Sequence, residues 1–241
     1  MQIIPIHIKK EITVDDDLSE LILHSGDILD GDILVIAQKI ISKQEGRTVK
    51  LSSVSPSLLS QGISSQYDKD PNIVELILSE SKRIVRMNRG IIIVETHDGF
   101  ICANAGIDES NVANGYATLL PLNSDTSAQI IRQNIFKKTG KTVAVIISDT
   151  FGRPFRTGQT NCAIGISGLN PILDYAGTLD SFKRTLRVTA IAVADELSSS
   201  AELVMEKTKK CPVVIIRDYS FTVGENKIND LIRPENEDLF K

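Results

Sequence analysis

The sequence predicts a protein of mixed α and β structure, on three observations. Short runs of β-branched and other apolar residues, such as residues 33–37, 143–147 and 213–216, have the length of buried strands. Between them, apolar residues recur at helical spacing behind aspartate or asparagine caps. The length of 241 residues is enough for a substantial core, in one large domain or two small lobes.

The first elements alternate between strand and helix. We predict a strand over residues 3–8, a helix capped by the aspartates at 15–17, and a strand over residues 33–37. Lys39, Lys43 and Arg47 then recur every four residues. On a helix they share one face, and in an irregular loop they can converge on an anion; a solvated basic face is the alternative.

The next segment is predicted to change character twice. Half of residues 52–65 are serine, which indicates a surface excursion and leaves a short helix open. Asp70 and Pro71 then open a helix that is predicted to run to about Met87. A strand over residues 91–94 follows, with a turn at 97–99 and a partner strand near 100–103.

The second half repeats the alternation. Residues 104–112 lack helical spacing and predict a loop, and residues 123–127 cap a helix with Ile131, Ile135 and Phe136 on one side, which Gly140 ends. After the strand at 143–147, small residues at 163–168 favour close packing or close approach to a ligand. The last predicted elements are a strand over 186–194, a helix from Asp195, a strand over 213–216 and a peripheral charged tail from residue 226.

Composition argues against several classes of protein. A net charge of −4 argues against a broad basic surface for nucleic acid, and the apolar runs are too short to cross a membrane. The amino terminus has no secretion signal, so we expect a cytoplasmic protein. Three scattered cysteines predict reduced core thiols, and three isolated histidines argue against zinc. We therefore expect any metal to be a hard cation held by oxygen.

The polar stretch after the strand at 143–147 is the first candidate site. Ser148, Asp149 and Thr150 follow the last apolar residue, and Arg153 and Arg156 lie close behind among glycines. Such groups at the carboxyl end of a strand can hold a metal and surround a phosphate. A polar loop with solvated arginines is the alternative.

Three polar clusters are predicted to meet: residues 39–47, 104–111 and 148–156. Asp108 and Asp149 are candidate ligands of Mg²⁺ or Mn²⁺, and Thr150 offers a hydroxyl to a second ion. Together with the nearby lysines and arginines, these oxygen ligands are suited to phosphoryl transfer from a nucleoside triphosphate. The sequence contains no GxxxxGK[ST] motif, so a nucleotide site would not be a P-loop.

Four segments resemble one known family in the same order along the chain. They are DILVIAQKIISKQEGR, NAGIDESNV, VIISDTFGRPFRTGQTNCAIGISG and VADELSSSAELVMEKTKKCPVVIIR. Together they are similar to the coenzyme F420-0:L-glutamate ligase family, from the first strand to about Arg217. The resemblance departs at residues 7–10, where the family has a glycine-proline loop, and at 52–65, where it commonly has a charged helix.

The resemblance implies an α+β fold of an unusual, non-P-loop kind, with mixed sheets and packed helices, in an intertwined homodimer. Residues 1–241 would form a single ligase unit, with no lobe boundary that the sequence places. The implied reaction is the GTP-dependent addition of L-glutamate to the carboxylate of coenzyme F420-0 through an acyl phosphate, followed by a γ-linked glutamate. The resemblance implies two divalent ions, Mg²⁺ or Mn²⁺, and leaves open whether K⁺ also binds.

The resemblance also implies site residues. Asp108 and Asp149 correspond to ligands of the first metal and Thr150 to a ligand of the second, near Lys207. The positions corresponding to GTP contacts are Gln38, Lys39, Lys43, Asn111, Met205, Glu206, Lys207, Thr208, Lys209, Lys210, Cys211 and Pro212. We infer from side-chain chemistry alone that Arg153 and Arg156 bind substrate phosphate or carboxylates beside Asp149.

Two other functions fit the same residues. A metal-dependent phosphohydrolase would use the two aspartates with water as nucleophile, and a non-catalytic nucleotide-binding protein would keep the fold alone. Glutamate-dependent GTP turnover separates the first from the ligase, and the effect of changing Asp149 separates the second.

Overall fold

A computed structural model describes residues 1–238 of the chain. The helices are α1 Leu18–Ser25, α2 Gln38–Gln44, α3 Leu58–Tyr67, α4 Pro71–Ser79, α5 Ser124–Thr139 and α6 Val193–Met205. The strands are β1 Gln2–Ile6, β2 Ile33–Ala37, β3 Thr48–Lys50, β4 Ser81–Asn88, β5 Ile91–Thr96, β6 Ile101–Ala103, β7 Tyr116–Thr118, β8 Ala144–Arg153, β9 Arg156–Ser167, β10 Leu173–Asp174, β11 Ala190–Ile191 and β12 Val213–Arg217. Mixed α and β structure with several sheets is thereby confirmed.

The main sheet has the strand order β1-β12-β2-β8-β9 and is covered on both faces. Only β2 and β8 run parallel; the other neighbours are antiparallel. Alternate residues of β2 and β8 point to opposite sides, so Leu34 packs with α1 and α5 whereas Val35 packs with α6. Both faces being buried explains why these strands are continuous apolar runs.

A smaller sheet, β4-β5-β6, carries a core of its own. Ile92 and Val94 of β5 pack against Ile73, Val74 and Ile77 of α4, all buried. This second core also includes Ile63 of α3. The predicted strand and turn at 91–103 are confirmed, because Gly99 turns the chain and β6 pairs antiparallel with β5.

The predicted helix to Met87 is wrong. Helix α4 ends at Ser79, and residues 81–88 form β4, which pairs antiparallel with β5. Ile84 and Val85 fit the helical spacing from Val74, but their β-branched side chains also suit a strand. The neighbouring strand β5 supplies the backbone partners that decide between the two.

The strand predicted over residues 143–147 does not end there, and the alternative of a polar loop behind it is also wrong. Strand β8 continues through Asp149 and Thr150 to Arg153, paired with β9 in a long hairpin. The antiparallel partner satisfies the backbone of these polar residues, so the strand does not need apolar side chains to persist. The polar candidate residues therefore lie along β8 itself and not in a loop that follows it.

Other boundaries are confirmed or shift. Asp17 and Asn123 cap α1 and α5 as predicted, and Gly140 ends α5 with a left-handed φ of 71°. Phe136, however, is exposed, whereas Ile131 and Ile135 are buried. The remaining predicted bounds change as follows: strand 3–8 ends at Ile6, segment 52–65 contains most of the ten-residue α3, strand 186–194 shrinks to Ala190–Ile191, and the tail buries Ile228.

Within residues 1–238, no helix combines the length and the apolar character that a membrane span requires. The last three residues of the predicted unit 1–241 lie outside the described part, and its organisation as one unit stays a prediction.

Replacing Gly62 by alanine is expected to raise the free energy of unfolding by about 0.5–1 kcal/mol. Gly62 is exposed inside α3, and a β-carbon there meets no atom within 4 Å. Alanine restricts the unfolded chain and favours the helix without disturbing a contact. Urea denaturation measures the change, and a loss of stability would contradict this account of α3.

Candidate active site

Two of the three predicted clusters meet at Asp108. The Lys39 ammonium donates to Asp108 Oδ2 at 2.6 Å and to the Ser110 carbonyl and hydroxyl at 2.9 and 2.7 Å. Lys39 lies in the first turn of α2, which follows β2 directly, and a backbone bridge to Thr118 holds Asp108 in place. Burial raises the pKa of the Asp108 carboxyl, but the hydrogen bonds from Lys39 and Ser110 outweigh it and hold the pKa below its ordinary value.

The basic pattern at 39, 43 and 47 divides between two places. The Lys43 ammonium donates to the carbonyl of Asn111 at 2.7 Å and also pairs with Glu11, so it stays with the Asp108 segment. Arg47 lies beyond the end of α2 and pairs with Glu80 at 2.6 Å. The two lysines are therefore on the candidate site and Arg47 is not.

Asp149 brings the third cluster to the same region. Its carboxylate lies on the face of β8 that meets α2, and Lys207, Asp108 and Lys39 all influence it electrostatically. Burial raises the pKa of Asp149 to about 6, and the attraction of the two lysines does not offset this. The two lysines direct their hydrogen bonds to other groups, so beyond the backbone hydrogen bond of Thr150 the charge of the partly buried Asp149 is compensated at longer range.

Thr150 lies on the other face of β8, at one end of a hydrogen-bonded chain. Its hydroxyl is 2.7 Å from Asn161 Oδ1, and Asn161 Nδ2 donates to Glu202 at 3.1 Å. The Lys207 ammonium donates to Thr150 Oγ1 at 2.6 Å and lies 3.2 Å from Glu202 Oε1. Strand β9, helix α6 and the loop after α6 thus converge on one hydroxyl.

The loop that follows α6 lies beside α2. Ala37, the residue before α2, donates its backbone N–H to the Pro212 carbonyl at 2.8 Å. Met205 and Cys211 at the two ends of the loop are buried in the core, so only their backbone could touch a nucleotide. Residues 206–210 between them are exposed, and Lys209 pairs with Glu206.

Gln38 differs from its predicted neighbours. Its side chain is buried and accepts a hydrogen bond from Ser42 Oγ at 2.8 Å, one turn further along α2. Gln38 therefore lies beneath Lys39 at the start of α2, and its role as a nucleotide contact stays a prediction.

Arg153 and Arg156 lie apart from the carboxylates. They face each other at the end of the β8–β9 hairpin, and Arg153 is four residues from Asp149, or roughly 13 Å along the strand. Both are exposed, and Arg153 donates to the Thr157 carbonyl at 3.2 Å. Their predicted contacts with substrate phosphate or carboxylates, and their catalytic role, stay predictions.

The donor atoms near Asp149 fit a small hard cation. Within the part of the chain that the structure describes, no three histidine, cysteine or acidic side chains are grouped to hold a metal. Mg²⁺, however, usually takes one or two carboxylates and completes its shell with water and substrate phosphates. Asp108, Asp149 and Thr150 supply that kind of partial set. Lys207, as an ammonium, has no lone pair, so it could ligate a metal only through its backbone carbonyl.

Three residues of this region were not singled out from the sequence: Ser110, Asn161 and Glu202. Ser110 follows Asp108 by two residues and closes a turn on its carboxylate, a common aspartate-serine pattern. Asn161 is buried in the middle of β9, opposite Thr150, and an asparagine that follows other polar residues gives no signal in the sequence. Glu202 sits within an ordinary amphipathic helix, and the sequence contains no comparable signal for it.

Asparagine at position 149 is expected to stabilise the metal-free protein at neutral pH. The pKa of Asp149 is about 6 in the folded chain against an ordinary value of 3.8, so ionisation opposes folding above pH 6. The penalty vanishes below about pH 4, where both states are protonated. A pKa difference of about two units corresponds to about 3 kcal/mol in the free energy of unfolding, and the neutral amide of asparagine removes this penalty.

The measurement is urea denaturation in EDTA, with Asp149→Asn compared with the native chain at about pH 7 and about pH 4. Asp68→Asn is the control, because Asp68 ends α3 with a φ of 51°, a conformation that asparagine tolerates equally well. Equal gains at both pH values would contradict a penalty caused by ionisation.

The chain matches known proteins over most of its length. A family model described as F420-0:Gamma-glutamyl ligase matches residues 7–218. A coenzyme F420:L-glutamate ligase of Methanothermobacter thermautotrophicus is 46% identical over 234 residues, which cover 94% of this chain and 93% of the relative.

Two further relatives carry the same name. The protein of Methanocaldococcus jannaschii is 48% identical over 226 residues, covering 93% of this chain and 90% of the relative. That of Archaeoglobus fulgidus is 38% identical over 242 residues, covering 100% and 96% respectively. With the family model matching most of the chain, these identities show that the chain belongs to the F420-0:Gamma-glutamyl ligase family.

Proposed function

We propose that this protein joins L-glutamate to the carboxylate of coenzyme F420-0 in coenzyme F420 biosynthesis, with GTP as the energy source. The observation that carries the proposal is the meeting of Asp108, Asp149, Lys39 and Lys207 from four separate segments, in a chain of this family. Two carboxylates and two ammonium groups are what a triphosphate with its metal ions needs.

The reaction must first make a carboxylate reactive. A carboxylate is a poor electrophile, and transfer of the γ-phosphoryl group of GTP to its oxygen gives an acyl phosphate and GDP. The glutamate amine then attacks the acyl carbon, the amide bond forms, and inorganic phosphate leaves as the amine loses a proton. Phosphoryl transfer depends chiefly on positioning and charge neutralisation, and this chain's side chains are suited to both.

Each part of the site has a place in that scheme. Asp108, Asp149 and Thr150 would hold two Mg²⁺ or Mn²⁺ ions, which supply charge neutralisation between nucleotide and acceptor. Lys39, Lys43 and Lys207 would attract the phosphates, and Asn111 and Gln38 would contact the nucleotide with the loop from Met205 to Pro212. The raised pKa of the partly buried Asp149 supports this, since a bound cation would compensate the part of its charge that Thr150 and the lysines leave.

The remaining properties belong to the same proposal. They are addition of a second, γ-linked glutamate, K⁺ as an additional ion, a cytoplasmic location and an intertwined homodimer. The dimer is supported by large apolar side chains on exposed segments, with Phe155 at the hairpin end and Phe182 and Val188 between β10 and β11. Sedimentation equilibrium of the purified protein would test it.

The test of the ligase is product analysis by mass spectrometry. Purified protein is incubated with coenzyme F420-0, L-glutamate, GTP and Mn²⁺, and each component is omitted in turn. We expect a product heavier by one or more glutamate residues that requires every component. GTP hydrolysis indifferent to glutamate would favour a phosphohydrolase, and nucleotide binding without turnover would favour a non-catalytic protein.

A further inference from the structure

The ammonium of Lys207 is hydrogen-bonded to Thr150 Oγ1, an atom that the proposed metal site requires. The ammonium lies 2.6 Å from Thr150 Oγ1, in a loop whose residues 206–210 are exposed. The ammonium therefore has two partners, the Thr150 hydroxyl oxygen and, at 3.2 Å, Glu202 Oε1. The ion pair with Glu202 does not need the Thr150 oxygen, so the hydroxyl is the partner that the ammonium could give up to another cation.

The neighbours of Thr150 fix the direction of its lone pairs. Asn161 Nδ2 donates to Glu202, which leaves Asn161 Oδ1 as the acceptor for the Thr150 hydroxyl proton. With the proton committed to Asn161, both lone pairs of Thr150 Oγ1 point away from it, and Lys207 takes one of them. Asn161 and Glu202 thus turn Thr150 into a pure acceptor for cations.

A divalent ion and Lys207 cannot share that acceptor comfortably. An ion about 2.1 Å from the oxygen on the second lone pair would stand roughly 4 Å from the ammonium. Like charges at that separation repel strongly in a partly buried setting. The Lys207 ammonium can leave Thr150 and still keep an ion-pair partner, because Glu202 Oε1 already lies 3.2 Å from it.

We propose that Lys207 is a resident counter-cation of Thr150, which a divalent ion displaces toward Glu202 and the exposed loop. The inference rests on the proposed function, since it takes Thr150 as a metal ligand. The displaced ammonium is then available to nucleotide phosphate, so metal binding comes first and favours nucleotide binding. Lys39 likewise occupies an oxygen of Asp108, one of the two proposed carboxylate ligands, in this case as a salt bridge.

The test measures Mn²⁺ binding to the full chain by electron paramagnetic resonance of the free ion. Lys207→Met removes the competing ammonium, and we expect it to tighten the weaker Mn²⁺ site about tenfold without nucleotide. Lys209→Met is the matched control, because it removes the same charge two residues away from a lysine that pairs with Glu206. The control is expected to change Mn²⁺ affinity by less than about twofold.

A double-variant cycle separates displacement from general charge removal. Thr150→Val removes the shared acceptor, so Lys207→Met should give no gain in that background. In saturating Mn²⁺, Lys207→Met should also bind GTP at least fivefold more weakly, a change of opposite sign that a purely structural role would not produce. Melting temperatures in EDTA confirm that each variant is folded.

Several outcomes would overturn the inference. They are equal Mn²⁺ affinity in Lys207→Met and Lys209→Met, a gain that persists beside Thr150→Val, and unchanged Mn²⁺ binding in Thr150→Val alone. The glutamylation assay is independent of all three. An active ligase with none of these effects would refute only the displacement, whereas absence of glutamylated product would refute the proposed function.

Discussion

Asp149→Asn is expected to lower ligase activity by about a thousandfold or more, the largest loss that we anticipate for a single conservative change. The amide keeps the shape of the side chain but removes the charge that would bind a divalent ion. Metal ions contribute several kcal/mol to stabilising charge in such transition states, and about 4 kcal/mol corresponds to a thousandfold.

The opposite effect on stability makes this prediction specific. The same variant should be more stable than the native chain in EDTA at neutral pH, because burial raises the pKa of Asp149 to about 6. Glutamylated product formed per minute is the measurement, with Asp68→Asn as the control, since Asp68 lies at the end of α3. Activity within tenfold of the native chain would remove Asp149 from the proposed mechanism.

Gly165→Ala is expected to destabilise the fold by about 3 kcal/mol or more. Gly165 lies in β9 under the start of α5, and an added β-carbon would come within 2.4 Å of the backbone carbon and the side chain of Ser124. Backbone atoms cannot rotate aside, so the helix and the strand would have to separate. Asp125 beside this contact also accepts the N–H of Ile166, and that bond would be strained with it.

Urea denaturation gives the cost, and Gly62→Ala supplies a matched glycine-to-alanine change with the opposite expected sign. Aggregation or very low yield of Gly165→Ala, beside normal yield of Gly62→Ala, would agree with the prediction. A folded Gly165→Ala protein that loses less than about 1 kcal/mol would show that α5 can shift without penalty.

Local sequence patterns predicted the elements that bury a complete apolar face. The run at 33–37 became β2 with the same bounds, and the caps Asp17 and Asn123 marked α1 and α5. In each case the information is local, because periodicity and capping depend on neighbouring residues. The prediction for β4 was wrong because Ile84 and Val85 suit either a helix or a strand. Pairing with β5, which the local pattern does not contain, selects the strand.

The candidate site was predictable as far as its charged groups. Oxygen donors and lysines in three segments suggested convergence, and the structure joins Lys39 to Asp108 and Lys207 to Thr150. Asn161 and Glu202 carried no such signal, since an amide and a helix glutamate have many ordinary uses. Their role depends on tertiary pairing, Asn161 opposite Thr150 across the hairpin, which sequence spacing does not encode.

The strand order of the main sheet also constrains how the chain can be synthesised. Strand β12 lies between β1 and β2, so the strand that both of them pair with is missing until residues 213–217 are synthesised. On a ribosome, β1 and β2 would emerge early and wait with open edges while most of the chain is translated. Such edges invite pairing with other chains. The nascent protein therefore has a long period in which chaperone protection matters, and completion of the sheet is a late event.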